Sequence, residues 1–135
     1  MAEVQTLTQL LTCYLPDEYD VLAPDGSEIR ILTRLERGSM VHGRLPAGRV
    51  SLAVAHYSVE ELWYFTAGKG EIWRKLDDDE HVTTVQPGTS VTIPVGAHFQ
   101  FRNTGDTPLE FVLVTMPPWP GMAEAYRVPD YWPVD

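Results

Sequence analysis

Between residues 28 and 116 the chain alternates apolar and polar side chains in short runs, and Gly, Pro or Asp breaks each run after a few residues. A period of two belongs to a strand with one face buried and one face wet. The runs predict strands at 28–34, 38–45, 49–56, 61–67, 70–76, 81–86, 90–94, 98–103 and 109–116. Nothing in this stretch keeps a helical apolar period. Many short strands with turn residues between them predict an all-β sandwich or barrel.

The same alternation assigns faces. In 49–56, Val50, Leu52, Val54 and His56 share one side and Arg49, Ser51, Ala53 and Ala55 the other. The first set is the more apolar, so it is expected inside, with His56 next to Val54. In 98–103, Phe99 and Phe101 are expected to face in, and His98, Gln100 and Arg102 to face out. In 61–65 the inner set is Glu61, Trp63 and Phe65. His42 lies on a run whose two faces the pattern does not distinguish.

The ends behave differently. Leu7, Leu10, Leu11 and Tyr14 recur at helical spacing, which predicts a short helix over 3–13 or an irregular arm, closed by Pro16. Ala23-Pro24-Asp25-Gly26 is a turn sequence. Asp77-Asp78-Asp79 reads as a solvated hairpin tip. After Met116, Pro becomes too dense for a central strand. That segment is expected to run extended, with a short helical piece near 121–126. It would lay Trp119, Tyr126 and Trp132 on the barrel or on a second subunit. The chain is thus read as one domain, residues 1–135: a core barrel at 28–116, an N-terminal arm at 1–27 and a C-terminal tail at 117–135.

Composition narrows the partners. A length of 135 residues with 44% apolar content suits one globular domain. A net charge of −9 opposes binding to nucleic acid or to an anionic membrane. No run approaches the ~20 apolar residues that span a bilayer, and the first residues lack the pattern of a signal peptide. Cys13 is the single cysteine. It permits no internal disulfide, is expected to be inert packing, and fits a reducing, cytoplasmic setting.

Two spaced patterns carry the candidate chemistry. One is Gly48-x5-Val54-x-His56-x4-Glu61-x6-Gly68, and the other is Gly88-x5-Pro94-x-Gly96-x2-Phe99-x3-Asn103. Spacing for spacing they resemble the two motifs of the cupin superfamily, over roughly residues 28–116. The resemblance implies a double-stranded β-helix, a jelly-roll barrel with a pocket in its mouth. In that family a His-x-His pair and a Glu in the first motif converge with a His in the second on one metal ion. Here His56 and Glu61 keep their places, while Val54 and Phe99 stand where the other two imidazoles belong. Small cupins commonly pair, so the resemblance also implies a homodimer, to which the sticky arm and tail would contribute.

A metal site needs about three or four N or O ligands. His56 and Glu61 supply two, with His98 and His42 in reserve should either turn inward. No tightly bound cofactor is expected, at most a divalent ion held weakly. Three functions follow. The first is small-molecule binding, carbohydrate-like ligands included, in a pocket lined by Val54, Trp63, Phe65, Phe99 and Phe101 with His56 and Glu61 as its polar groups. The second is acid/base catalysis without metal, like that of cupin sugar isomerases and epimerases, with His56 as general base and Glu61 orienting it. The third is a metal-dependent dioxygenase, which the ligand count disfavours. Whether the chain is an enzyme stays open at this level.

Overall fold

The computed structural model describes residues 9–134. Two antiparallel sheets face each other. The first runs β1 (Val21–Leu22), β2 (Glu28–Arg34), β3 (Ser39–Leu45), β10 (Leu109–Met116), β5 (Glu60–Ala67) and β8 (Ser90–Ile93) in spatial order. The second runs β11 (Ala125–Arg127), β4 (Val54–His56), β9 (His98–Asn103), β6 (Gly70–Leu76) and β7 (Asp79–Val85). Successive strands along much of the chain lie in opposite sheets, as in a jelly roll. Apart from one 3-10 turn at Met122–Glu124, no helix occurs among the described residues. None is long and apolar enough to cross a membrane.

Alternation builds the core. In β5 the side chains of Glu61, Trp63 and Phe65 are buried while Glu60, Leu62, Tyr64 and Thr66 are exposed. The inward rings of both sheets meet at Trp63. It stacks on Phe111 at 4.6 Å and 6°, and meets Phe101 edge-on at 5.2 Å. Such pairs each add about 1 kcal/mol beyond burial. The Phe111 ring fits only because β3 carries Gly43 opposite it: a Cβ there would fall within 2.1 Å of the ring. Gly68 turns the β5–β6 hairpin at φ 79°, where the left-handed backbone and the nearby Pro108 carbonyl both disfavour a side chain.

Several sequence expectations need correction. Residues 49–53 do not continue β4. Val50 forms only an isolated bridge to Arg102, and it packs on the outer cluster around Trp73 and Trp132 rather than inside. Ser51 causes the break: its amide donates to the Phe101 carbonyl and its hydroxyl accepts from the Phe101 amide, shifting the local register. Only Leu52, Val54 and His56 keep the inner side. Asp79 belongs to the ladder, paired with Leu76, so the hairpin tip is Asp77-Asp78. The helix expected over 3–13 lies partly outside the described residues; 9–13 are irregular. Cys13 is exposed, not packed.

The barrel also extends beyond 28–116. Val21 and Leu22 pair with Ile29 and Glu28, and Ala125–Arg127 pair with His56, Ala55 and Val54. The tail folds onto its own barrel. Trp132 is buried against Ala53, Ala55 and Trp73, and Arg102 lies 4.5 Å from the Trp132 ring centre. Gln100 faces outward as its period requires, yet it is fully buried beneath the tail. Its amide donates to the carbonyls of Ser51 and Trp132, and its oxygen accepts from the amides of Tyr131 and Trp132, all at 2.8–2.9 Å. That carboxamide is the latch holding the tail to the second sheet.

Candidate functional site

One end of the barrel holds a cavity of about 210 Å³. β4 brings Val54 and His56 to it, β5 brings Glu61 and Trp63, and β9 brings Phe99. Val54 and Phe99 are direct cross-strand partners, so two hydrocarbon side chains stand side by side on one wall. Phe65 and Phe101 do not reach the cavity. They are fully buried behind Trp63 and belong to the core, a correction to their expected place in the lining.

His56 is buried. Phe99 and Trp119 both meet its ring edge-on at 5.3 Å. Its Nδ1 has no hydrogen-bond partner among the described residues. Burial favours the neutral ring and pushes its pKa down to about 4, with Glu124 pulling weakly the other way. Glu124 itself sits on the 3-10 turn Met122–Glu124. There it accepts from the Ser58 amide and hydroxyl at 2.6 and 2.5 Å and from the Val59 amide at 3.2 Å. Burial works against its charged form, but those donors hold its carboxyl below the usual range.

Glu61 behaves oppositely. Its Oε1 accepts from the Trp63 indole at 2.9 Å. Burial nevertheless dominates and pushes its pKa up to about 8, with nearby Asp25 and Glu124 adding to the rise. Nδ1 of His56 stands 4.0 Å from Oε1 of Glu61. At that distance, with both groups driven to their neutral forms, they are neighbours, not an ion pair or a hydrogen-bonded couple. Glu61 therefore does not orient His56; Phe99 and Trp119 do so by packing.

The cavity has members that the strand pattern leaves out. Asp25 and Ser27, from the loop between β1 and β2, line it. Asp25 Oδ1 accepts from the Ser27 amide at 2.9 Å and hydroxyl at 2.6 Å, and burial raises the Asp25 pKa against these bonds. The Asp-Gly-Ser sequence signals this turn, but not that the turn folds over the barrel mouth. Trp119, expected on the barrel surface or on a second subunit, lines the cavity instead. The Ser39 hydroxyl, paired with Thr115 at 2.5 Å, accepts from the Trp119 amide at 3.0 Å and fixes the ring over His56.

The reserve imidazoles lie elsewhere. His98 is on the outer side of β9, 6.5 Å from Trp73 in the tail-covered cluster. His42 is on the outer side of β3, with Nε2 3.1 Å from Glu110. Burial, opposed by Glu110 and helped by Arg30 and Arg44, lowers its pKa.

These positions test the metal that the resemblance implies. Val54 and Phe99 fill two ligand places with hydrocarbon, and His98 and His42 cannot replace them without leaving their faces. Among the described residues no three His, Cys, Asp or Glu side chains are grouped to hold an ion. The donor set does not fit a cupin metal centre.

Comparison with known proteins places the fold. In overall shape the chain is similar to the capsular polysaccharide assembling protein CapF of Staphylococcus aureus (TM-score 0.67, 21% identity, 76% of this chain and 32% of that one). It is also similar to a double-stranded β-helix protein of Klebsiella pneumoniae (TM-score 0.63, 15% identity, 96% and 100% covered). Oxalate decarboxylase is similar over 76% of this chain and 28% of that enzyme (TM-score 0.65, 15% identity). The chain therefore spans about a third of CapF and less of the decarboxylase. In sequence it is 31% identical over 111 residues to the uncharacterized protein MJ1618 of Methanocaldococcus jannaschii, covering 76% of this chain and 86% of that protein. A profile described as "Cupin domain" matches residues 41–115, more than half of the chain, and on fold, motifs and match together this protein belongs to the cupin family.

Proposed function

We propose that this cupin binds a compact, partly apolar small molecule in the barrel cavity, without a metal. The observation that carries the reading is the cavity itself: three aromatic walls, Trp63, Phe99 and Trp119, around the unpartnered imidazole of His56 and the carboxyls of Glu61 and Asp25. Enclosed apolar space with a few convergent polar groups is what small-ligand sites consist of. NMR of the indole N–H signals tests it. Fragments of one ring should move Trp63 and Trp119 and leave Trp73, on the outer side, in place. A broad fragment set that moves neither cavity indole would sink the reading.

The inverted proton affinities of His56 and Glu61 favour a second reading, acid/base catalysis without metal. The roles would then differ from those the sequence implies. Glu61 holds a proton near neutrality and donates it, while His56 is the unprotonated acceptor. Solvent deuterium incorporated into a trial aldose or ketose, and lost in Glu61→Gln, supports this. Equal incorporation by the variant removes it.

Two further properties are part of the proposal. Exposed Leu10, Leu11, Tyr14 and Leu15 on the arm, with Leu62 and Tyr64 on the outer face of β5, support a homodimer. Light scattering should give twice the chain mass; a monomer mass at micromolar concentration contradicts it. The free, exposed thiol of Cys13 favours a reducing compartment such as the cytoplasm.

A further inference from the structure

The aromatic lining of the cavity carries an excess of hydrogen-bond acceptors. Asp25 and Glu61 reach it from different elements, the β1–β2 loop and β5. Each has one committed oxygen, Oδ1 to Ser27 and Oε1 to the Trp63 indole. No described residue donates to Asp25 Oδ2 or Glu61 Oε2. His56, more than nine-tenths buried, adds an imidazole nitrogen with no partner. Among the described residues that line the cavity only Arg34 carries a permanent positive charge, exposed at the rim, and none is a lysine.

Resting on the small-molecule reading above, we propose that the ligand is a small organic cation: a primary or secondary ammonium on a compact apolar body. An ammonium group offers only donors, and this wall offers unfilled acceptors. His56 Nδ1 and Glu61 Oε1 are 4.0 Å apart, so a nitrogen standing to one side of the line that joins them can lie about 2.9 Å from both, with Nδ1 accepting in the Nε2–H tautomer. Trp63, Phe99 and Trp119 line the same space and supply apolar contact for the body of the ligand. Glu61 holds a proton in the unliganded cavity, and a bound cation supplies the counter-charge that its buried carboxylate lacks, so binding the cation releases that proton. The alternatives fit less well. An alcohol has one donor for several acceptors. A carboxylate meets two acids and, among the described lining residues, no buried permanent cation.

Three isosteres of one ring separate these cases: benzylamine, benzyl alcohol and benzoate. Each is titrated into the intact protein near neutral pH, with calorimetry for affinity and tryptophan fluorescence for location. Benzylamine should bind at least about tenfold more tightly than benzyl alcohol, and benzoate should not bind. Asp25→Asn and Glu61→Gln should each weaken benzylamine about tenfold, while a cooperative unfolding transition in each variant shows that the barrel is intact. Benzylamine and benzyl alcohol binding equally would overturn the cation inference and leave the small-molecule reading standing. So would amine binding that survives both substitutions, because the overall charge of −9 attracts cations anywhere on the surface. Tighter binding of benzoate overturns it as well. If none of the three perturbs the cavity tryptophans, both readings fail.

Discussion

Trp119 stands edge-on to His56, their ring centres 5.3 Å apart at 74°. A residue of the tail thus forms part of the wall that keeps the imidazole dry. Replacing Trp119 with Ala should let water reach His56 and raise its pKa from about 4 toward 6.5. Titrating the ring protons by NMR checks this. A His56 pKa that stays near 4 would mean that Phe99 and the barrel alone exclude water.

Glu61 gives the stability a pH dependence of known sign. Its folded pKa of about 8 lies above its ordinary 4.5, so between those values the folded state holds a proton that the unfolded chain has lost. Its contribution is fully present at low pH and is lost as pH rises through 8. His56, about 4 when folded against 6.5 ordinarily, acts in the opposite sense between 4 and 6.5. The two offset each other from about 4.5 to 6.5, and Glu61 acts unopposed above that. Relative to Glu61→Gln, the protein should lose about 2 kcal/mol of stability between about pH 6.5 and about pH 9. Urea unfolding at each pH measures it, and parallel curves for the two proteins would refute it.

Gln100→Leu should unlatch the tail. The substitution strands two amide donors and two carbonyl acceptors that now meet in the side-chain carboxamide. Leaving buried groups unpaired should cost about 3 kcal/mol. Denaturant unfolding would show the loss, and limited carboxypeptidase digestion would show the tail released at Trp132 before the barrel unfolds. A variant as stable and as protease-resistant as the parent would show that the latch is not needed.

Metal dependence follows from the donor set. As isolated, the protein should carry clearly less than one equivalent of transition metal, and a chelator should leave Tm almost unchanged, because a weakly held ion adds little to folding stability. Val54→His with Phe99→His should increase metal affinity, since these cross-strand partners fill the vacant ligand places beside His56. Elemental analysis after dialysis and metal titration of the double variant give the answer. A full equivalent retained by the unsubstituted protein would mean that ligands gather in a way the strand faces do not allow.

Most of the barrel is legible in the sequence because its cause is local. Strand faces follow from alternation, so the inward Glu61, Trp63 and Phe65 and the outward His98 can be read from neighbours along the chain. Turn positions follow from Gly, Pro and Asp, and two motifs at fixed spacing bring His56 and Glu61 to one end of the barrel. Position on a strand, however, does not tell how deep a side chain lies. Phe65 and Phe101 share the inner face with Trp63 but sit behind it, so they are core where the pattern suggested a lining. The electrostatics were out of reach for the same reason. Burial sets the opposite shifts of His56 and Glu61, and burial is a sum over many distant segments. The loop carrying Asp25, the tail carrying Trp119 and the Gln100 latch are all long-range events. Their contacts join residues dozens of positions apart, and no local period records where an irregular segment will fold back. The sequence determined the barrel and which strand faces point inward; the tertiary structure alone decided which of those residues meet the cavity, what closes it, and which protons its acids keep.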